Sequence, residues 1–338
     1  MTTRRNFLAE ASLTATGVAL APLVACSRRP PPTASSSAAV GPASPPAASD
    51  GPAPTENAAR ASAGGGMLTR AIPASGERLA VIGAGTSGSY EVPLGSAEFG
   101  RLRETMKVFF DGGGQLFDTS PNYSNAEDVL GALLAEGTLR GRCFLATKLA
   151  ADSRVELQEQ WAASRKRLKT DKVELLQVHN LRNLAQALPY ARELKAQGLV
   201  KYIGITHYLE SGHAELVRVL RAEKLEFVQV NYSVNAPQAA ATVLPVAQEL
   251  GVAVLVNRAF DDGKLFAKVR DQALPGWAAE VGATSWAQLF LKFAISHQAV
   301  TAVIPATGKP ERQADNLRAG RGALLSPAQQ AELVAQFR

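Results

Sequence analysis

The chain has 338 residues, 46% of them apolar and 20% charged, with a formal net charge of +6 and two cysteines. That excess is small and its Lys and Arg residues are scattered, with no interleaved aromatics and no nucleic-acid-binding motif, so a DNA or RNA partner is not expected. The two cysteines, Cys26 and Cys143, give no disulfide framework, and no Cys/His spacing suggests a metal site.

From the N-terminus, Arg4-Arg5 is followed by Phe7-Leu8 and a weakly apolar stretch from Leu13 to Ala25. That stretch falls short of the about 20 apolar residues a membrane-spanning helix needs. Its layout is that of a cleaved export signal of the twin-arginine kind. Leu23-Val24-Ala25-Cys26 resembles a bacterial lipobox, which implies a lipid anchor on Cys26 and a periplasmic or membrane-anchored protein that leaves by the twin-arginine export machinery. Plain signal-peptidase cleavage with an incidental cysteine is the alternative. Residues 27–66 are rich in Pro, Ala, Ser and Gly with almost no large apolar side chain, so they read as a disordered linker. Residues 67–338 are the expected folded domain, of a usual size for one barrel.

That domain alternates short apolar runs with helical patterns. Strands are expected over 79–84, 115–118, 143–148, 173–179, 201–206, 227–230, 252–256 and 300–304. Asn125 is read as the cap of a helix carrying Val129, Leu130, Leu133 and Leu134 on one face, and Asp152 or Ser153 opens the next. Further helices are expected over 184–197, stopped by Gly198, and near 211–222, 236–250 and 284–297, with others beginning at Pro310 and Ser326-Pro327. Eight strands alternating with helices predict a parallel α/β fold, closed as a (β/α)8 TIM barrel. An open doubly wound sheet is the runner-up. It would need a glycine fingerprint opening its first helix, and Ala84-Gly85-Thr86-Ser87-Gly88 lacks that spacing. Cys143, in an apolar strand, is read as a small core residue.

Isolated polar residues stand where these runs end: Asp118 and Tyr123 about the second, Lys148 on the third and His179 on the fourth. In a parallel barrel the strand ends collect catalytic groups at one mouth, so an enzyme is the leading expectation. His213 reads as helix surface, and His297 sits at a helix C-terminus where a positive charge suits the dipole. Tyr90, Tyr208 and Tyr232 are candidates for the pocket wall.

At these residues the chain resembles the aldo-keto reductase family, across essentially all of 67–338. Ile72 to Gly76 looks like the hairpin that plugs the bottom of that barrel. Asp118 to Tyr123 with Glu127 and Gly131, Ala146-Thr147-Lys148, and Leu175 to His179 resemble the segments carrying the family's aspartate, tyrosine, lysine and histidine. Val303 to Thr307 and Pro310 to Asn316 resemble its cofactor-binding segment. The resemblance implies reduction of an aldehyde or ketone, or the reverse, by a monomer acting on a small carbonyl substrate. Tyr123 would be the proton donor, its ionisation eased by the Lys148 ammonium, with Asp118 holding Lys148 and His179 orienting the substrate oxygen.

On the cofactor side, the same resemblance assigns Gly85, Thr86, Thr206, His207, Gln229, Arg258, Thr307, Arg312, Asp315 and Asn316. Gln229 would hold the nicotinamide amide, and Thr307 and Arg312 a 2′-phosphate, which favours NADP(H) over NAD(H). Two positions depart from the family: His207 stands where asparagine is usual, and Asn257-Arg258-Ala259-Phe260 replaces a ring-stacking tyrosine. Arg258 then reads as a pyrophosphate ligand or as an exposed loop arginine. Two other readings stay open: a non-catalytic nucleotide-binding barrel acting as sensor or subunit, and a redox-neutral isomerase or dehydratase on the same site.

Overall fold

The fold comes from a computed structural model that describes residues 60–61 and 65–337. The expected export signal, Cys26 and most of the linker lie outside those residues.

A small antiparallel sheet comes first, formed by β1 (Arg60–Ala61), β2 (Leu68–Ala71) and β3 (Arg78–Ala80). Strand pairing thus begins inside the stretch read from sequence as linker. The turn between β2 and β3 closes with the Ile72 N–H donating to Glu77 O at 2.7 Å. Gly76 takes φ +74° there, a region that glycine enters at no steric cost. The hairpin stands where the sequence placed a plug: Ile72 and Leu79 are buried among Leu116, Phe144, Leu175, Tyr202 and Phe227, inside the barrel.

The barrel strands are β4 (Ala84–Gly85), β5 (Leu116–Asp118), β6 (Phe144–Leu149), β7 (Val173–Val178), β8 (Val200–His207), β9 (Phe227–Asn231), β10 (Ala253–Asn257) and β11 (Val300–Val303). Each pairs in parallel with the next. Parallel bridges from Ile82 to Val303 and from Gly85 to Ala306 join the first strand to the last. The sheet is closed, not open. The single strand expected over 79–84 is divided, however. Arg78–Ala80 belongs to the hairpin, and only Ile82 onward joins the barrel. An apolar run does not register a change of partner sheet, which is why the two read as one.

Among the described residues, eleven α-helices surround or follow the strands: α1 (Ala97–Asp111), α2 (Ala126–Leu134), α3 (Leu139–Arg142), α4 (Arg154–Leu168), α5 (Leu184–Ala196), α6 (His213–Ala222), α7 (Val243–Glu249), α8 (Lys264–Lys268), α9 (Trp286–Ser296), α10 (Pro310–Ala319) and α11 (Pro327–Phe337). α4 starts on a full capping box, in which the Ser153 hydroxyl accepts from the Glu156 N–H at 3.2 Å and Glu156 reaches back to the Ser153 N–H at 3.0 Å. A cap of this kind is worth about 1 kcal/mol. Gly198, at φ +71°, ends α5 as expected.

Elsewhere the side chains have other partners than the sequence suggested. Asn125 precedes α2 but makes no side-chain cap, because its Nδ2 donates to Val92 O at 2.7 Å. The helix expected over 236–250 breaks at Thr242 (φ −123°, ψ −77°), between a 3-10 turn and α7. The Thr242 hydroxyl there donates to Gln238 O at 2.9 Å. His213 is buried, not on the surface, with Nε2 3.0 Å from Asn231 Oδ1 and Nδ1 3.1 Å from Thr242 Oγ1. His297 does end α9, but burial, with the Arg70 guanidinium adding to it, pushes its pKa down, so the ring is neutral and lends the dipole no charge.

Two buried cations tie β2 and the segment after α10 to α9 and the residues just after it. Arg70 donates to the carbonyls of Ile295, His297 and Val300, and Lys292 to those of Arg321 (2.7 Å) and Ala323 (2.8 Å). One packing contact is unusually close: a Cβ on Gly131 of α2 would stand 2.1 Å from the Arg167 carbonyl oxygen of α4. Backbone cannot yield there as a flexible side chain would, so Gly131→Ala should cost about 3 kcal/mol. Urea denaturation of the variant, with the slope unchanged, is the measurement that reads this out.

Candidate active site

Parallel strands present all their C-terminal ends at one face, and the polar residues stand there. Asp118 closes β5, Lys148 is the penultimate residue of β6, His179 follows β7 directly, and Asn257 closes β10. Tyr123 lies on the loop after β5. A cavity of about 760 Å³ opens between them, lined by Asp118, Tyr123 and His179 at one end and by Ala306 and Arg312 at the other.

Lys148 is fully buried and has three N–H donors. One goes to Asp118 Oδ2 at 2.6 Å and one to Thr119 O at 2.7 Å. The third is left for the Tyr123 phenol, whose ring centroid lies 5.0 Å from Nζ. The other Asp118 oxygen accepts from Gln177 Nε2 and from Gln229 Nε2, each at 2.9 Å. A buried carboxylate with three donors, one of them its ion-pair partner, is the compensated case; either charge alone would be strongly disfavoured.

Burial pushes the Lys148 pKa down, but Asp118 and then Tyr123 outweigh it and hold it above the ordinary lysine value. Tyr123 moves up as well, although Lys148 eases its ionisation as expected. Burial is the largest cause and raises its pKa, Lys148 pulls the other way, and the Asp118 charge adds to the rise. The phenol therefore keeps its proton at neutral pH, as a donor must.

The His179 ring stands nearly perpendicular to that of Tyr123, 5.9 Å between centroids. Burial, then the charges of Lys148 and Arg182, push its pKa down to about 3, so the imidazole is neutral. The partner of Nδ1 is the Ser120 hydroxyl at 3.1 Å, and that same oxygen accepts from the Asn122 N–H at 3.2 Å. Ser120 keeps its own proton free to donate to Nδ1, and in that tautomer His179 carries its proton on Nε2, where it can donate into the cavity. Linkage gives a sign. Between about pH 3 and pH 6.5 the unfolded chain binds a proton at His179 that the folded chain does not, so stability falls as pH falls through that window. Going from about pH 7 to about pH 5, His179→Gln should lose less stability than wild type by urea denaturation. Equal losses would contradict a neutral buried ring.

The residues assigned to the cofactor side divide. Gly85, Thr86, Thr206, Gln229, Arg258 and Arg312 line the main cavity. A Cβ on Gly85 would stand 2.9 Å from Ile304 O, so this wall of the cavity is bare backbone. Thr86 hydrogen-bonds Asp118 O and Thr119 Oγ1, and Thr206 Oγ1 accepts from the Asn180 N–H at 3.1 Å. Arg258, at φ +53°, lies 3.3 Å from Asp261 and 2.5 Å from Asp262, so its charge is matched within its own loop. Thr307 and Arg312 line a smaller adjoining cavity of about 340 Å³ together with Lys309, beside the N-terminus of α10. Neither Lys309 nor Arg312 has an ion-pair partner among the described residues.

His207, Asp315 and Asn316 are not brought to either cavity. His207 Nδ1 is engaged by Leu209, and Asp315 accepts from Ser285 Oγ and Gln288 Nε2, each at 2.6 Å, which ties α10 to α9. Asn316 is buried within α10. Of the three candidate wall tyrosines only Tyr208 lines the cavity, whereas Tyr90 packs against Phe117 and Tyr232 against Phe293. Sequence reasoning missed Gln177, Ser120, Asn180 and Asn257. Gln177 carried the one available signal, a lone polar residue inside an apolar strand.

The chain matches the Aldo/keto reductase family over residues 81–336, and it belongs to that family. It is 27% identical over 222 residues to aldo-keto reductase YhdN of Bacillus subtilis, covering 61% of this chain and 66% of the relative. It is likewise 27% identical over 199 residues to a D-threo-aldose 1-dehydrogenase of a Pseudomonas species, covering 47% of this chain and 60% of the relative. In both cases the chain spans less than two thirds of the curated relative's length. Among solved structures, it superposes on aldo-keto reductase AKR11C1 of Bacillus halodurans with TM-score 0.66 and 20% identity, covering 80% of this chain and 97% of that one. An aldo-keto reductase of Klebsiella pneumoniae, in complex with NADPH, superposes with TM-score 0.67 and 21% identity, covering 81% and 95%.

Proposed function

We propose that this chain is an NADP(H)-dependent oxidoreductase that interconverts an aldehyde or ketone and its alcohol. One observation carries the reading: a buried, fully hydrogen-bonded Lys148–Asp118 pair stands beside a protonated Tyr123 and a neutral His179 at the mouth of a single cavity. The cofactor supplies hydride to the carbonyl carbon when bound. Negative charge then develops on the carbonyl oxygen, toward which His179 Nε2–H donates. Tyr123 transfers its phenolic proton to that oxygen, completing the alcohol, and Lys148 stabilises the phenolate left behind. Asp118 keeps Lys148 charged and aimed. In the oxidative direction the same phenolate accepts the proton.

Preference for NADP(H) is supported by Thr307, Lys309 and Arg312 at the start of α10, where two unpaired cations and a helix N-terminus suit a phosphate. The NADPH complex of the Klebsiella neighbour and the reductase and dehydrogenase names of the relatives point the same way. Titration of protein fluorescence with NADPH and NADH, followed by carbonyl-dependent NADPH oxidation, tests the proposal. Tighter binding of NADPH and turnover of at least one aldehyde or ketone are expected. Nucleotide binding without oxidation by any carbonyl would overturn it in favour of a sensor.

For residues 1–26 the reading remains export by the twin-arginine route with lipidation of Cys26, supported by Arg4-Arg5 and Leu23 to Cys26. That route moves folded proteins, so a cofactor bound before export would travel with the barrel, which we take to act as a monomer. Mass spectrometry of the mature N-terminus tests the anchor: a diacylated Cys26 is expected, and an intact Met1 would refute it.

A further inference from the structure

Glu127 is a buried carboxylate outside the cavity, with no part in the proton transfer itself, yet it joins the two segments that carry out that transfer. It lies in the first turn of α2, four residues after Tyr123. Tyr123 O accepts from the Ala126 N–H at 2.8 Å, so the loop bearing the phenol runs straight into that helix. Glu127 Oε1 accepts from the Thr147 hydroxyl at 2.7 Å, and Thr147 directly precedes Lys148 on β6. Successive strand residues point to opposite faces, so Lys148 reaches into the barrel while Thr147 reaches out toward α2. Oε2 accepts from Ser164 Oγ at 3.0 Å and from Arg167 Nη1 at 3.4 Å, both on α4. Gly131, one turn further along the same face of α2, is what allows the two helices to press together there.

Burying a carboxylate is costly, and burial does raise the Glu127 pKa, with Thr147 and then Ser164 working against the rise. Joining α2 to α4 for stability alone would be served as well by apolar side chains. What the carboxylate adds is direction. Its donors come from two elements, and through Thr147 it fixes the β6 backbone beside Lys148 relative to the start of α2. Resting on the oxidoreductase reading above, we propose that Glu127 is a positioning residue: its hydrogen bond to Thr147 holds the Lys148 ammonium at a set distance from the Tyr123 phenol. That distance decides how far Lys148 eases ionisation of the phenol. Asp118 and Glu91, the other charges acting on Tyr123, are held independently, by Gln177 and Gln229 and by the Gly88 N–H.

The test is the pH profile of kcat/KM for alcohol oxidation, whose rising limb reports ionisation of the phenol, with urea denaturation and NADPH affinity measured on each protein. Thr147→Val keeps the shape of the side chain and deletes its hydroxyl. It should move the rising limb up by about one pH unit, and so lower kcat/KM about tenfold below it, with NADPH affinity within about twofold of wild type. Glu127→Asp keeps the charge but draws the carboxylate back, and should move the limb in the same direction. Thr147→Ser returns the hydroxyl and should return the wild-type profile. Ser164→Ala removes a bond on the α4 side only, so it should lower stability and leave the limb in place. A Thr147→Val profile that superposes on wild type overturns the proposal. An equal shift in Ser164→Ala overturns it too, since any loosening of α2 would then suffice. If Thr147→Val does not fold, Glu127→Asp decides between the same outcomes. In each of these cases the oxidoreductase reading stands, whereas a wild type that turns over no substrate removes both together.

Discussion

Tyr123→Phe is expected to lower kcat for carbonyl reduction by about a hundred- to ten-thousand-fold, the range a positioned proton donor contributes. Affinity for NADPH should be nearly unchanged. The hydroxyl is the only group removed, and the ring keeps its place against His179 and over the Lys148 ammonium. The effect should fall on kcat and kcat/KM alike, because the lost interaction exists only when charge develops on the substrate oxygen. Steady-state kinetics with one carbonyl substrate, together with a fluorescence titration of NADPH, measures both. A variant with more than about a tenth of wild-type kcat would remove Tyr123 from the mechanism. A variant that failed to bind NADPH would show instead that the phenol shapes the cavity.

The second large effect concerns the fold as much as the chemistry. Asp118→Ala should destabilise the protein by about 3–5 kcal/mol, because it leaves the Lys148 ammonium buried with no carboxylate and also frees the Gln177 and Gln229 amides. Adding Lys148→Met removes the stranded charge, and the double variant should be more stable than Asp118→Ala alone while remaining inactive. Urea denaturation of the three proteins decides it. If the double variant were no more stable than the single one, the ion pair would not be the source of the loss. The comparison separates what the pair does for folding from what it does for Tyr123.

The barrel and the four polar residues were legible in the sequence for one reason. Asp118, Lys148 and His179 each sit at the end of an apolar run, and in a parallel sheet all such ends meet. Direction along the chain therefore implied proximity in space. Features that depend on a partner chosen in three dimensions were hidden. Asn125 has the composition of a cap yet serves Val92, and His213 looks like helix surface yet is enclosed by Asn231 and Thr242. Asp315 lies in a cofactor-like segment but faces α9. The upward shift of Tyr123 could not be read either, because burial and two opposed charges decide it and only coordinates weigh them.

The way the barrel closes has a consequence during synthesis. The bridges Ile82–Val303 and Gly85–Ala306, and the grip of Arg70 on the carbonyls after Phe293, join parts of the chain separated by more than two hundred positions. Until residue 306 has left the ribosome, β4 has no neighbour on its outer edge and the apolar lining around Ile72 and Phe227 stays wet. Contacts of such long range form slowly and late. Nascent chains truncated before β11 should therefore bind holdase chaperones and resist native folding, whereas chains released at full length should not.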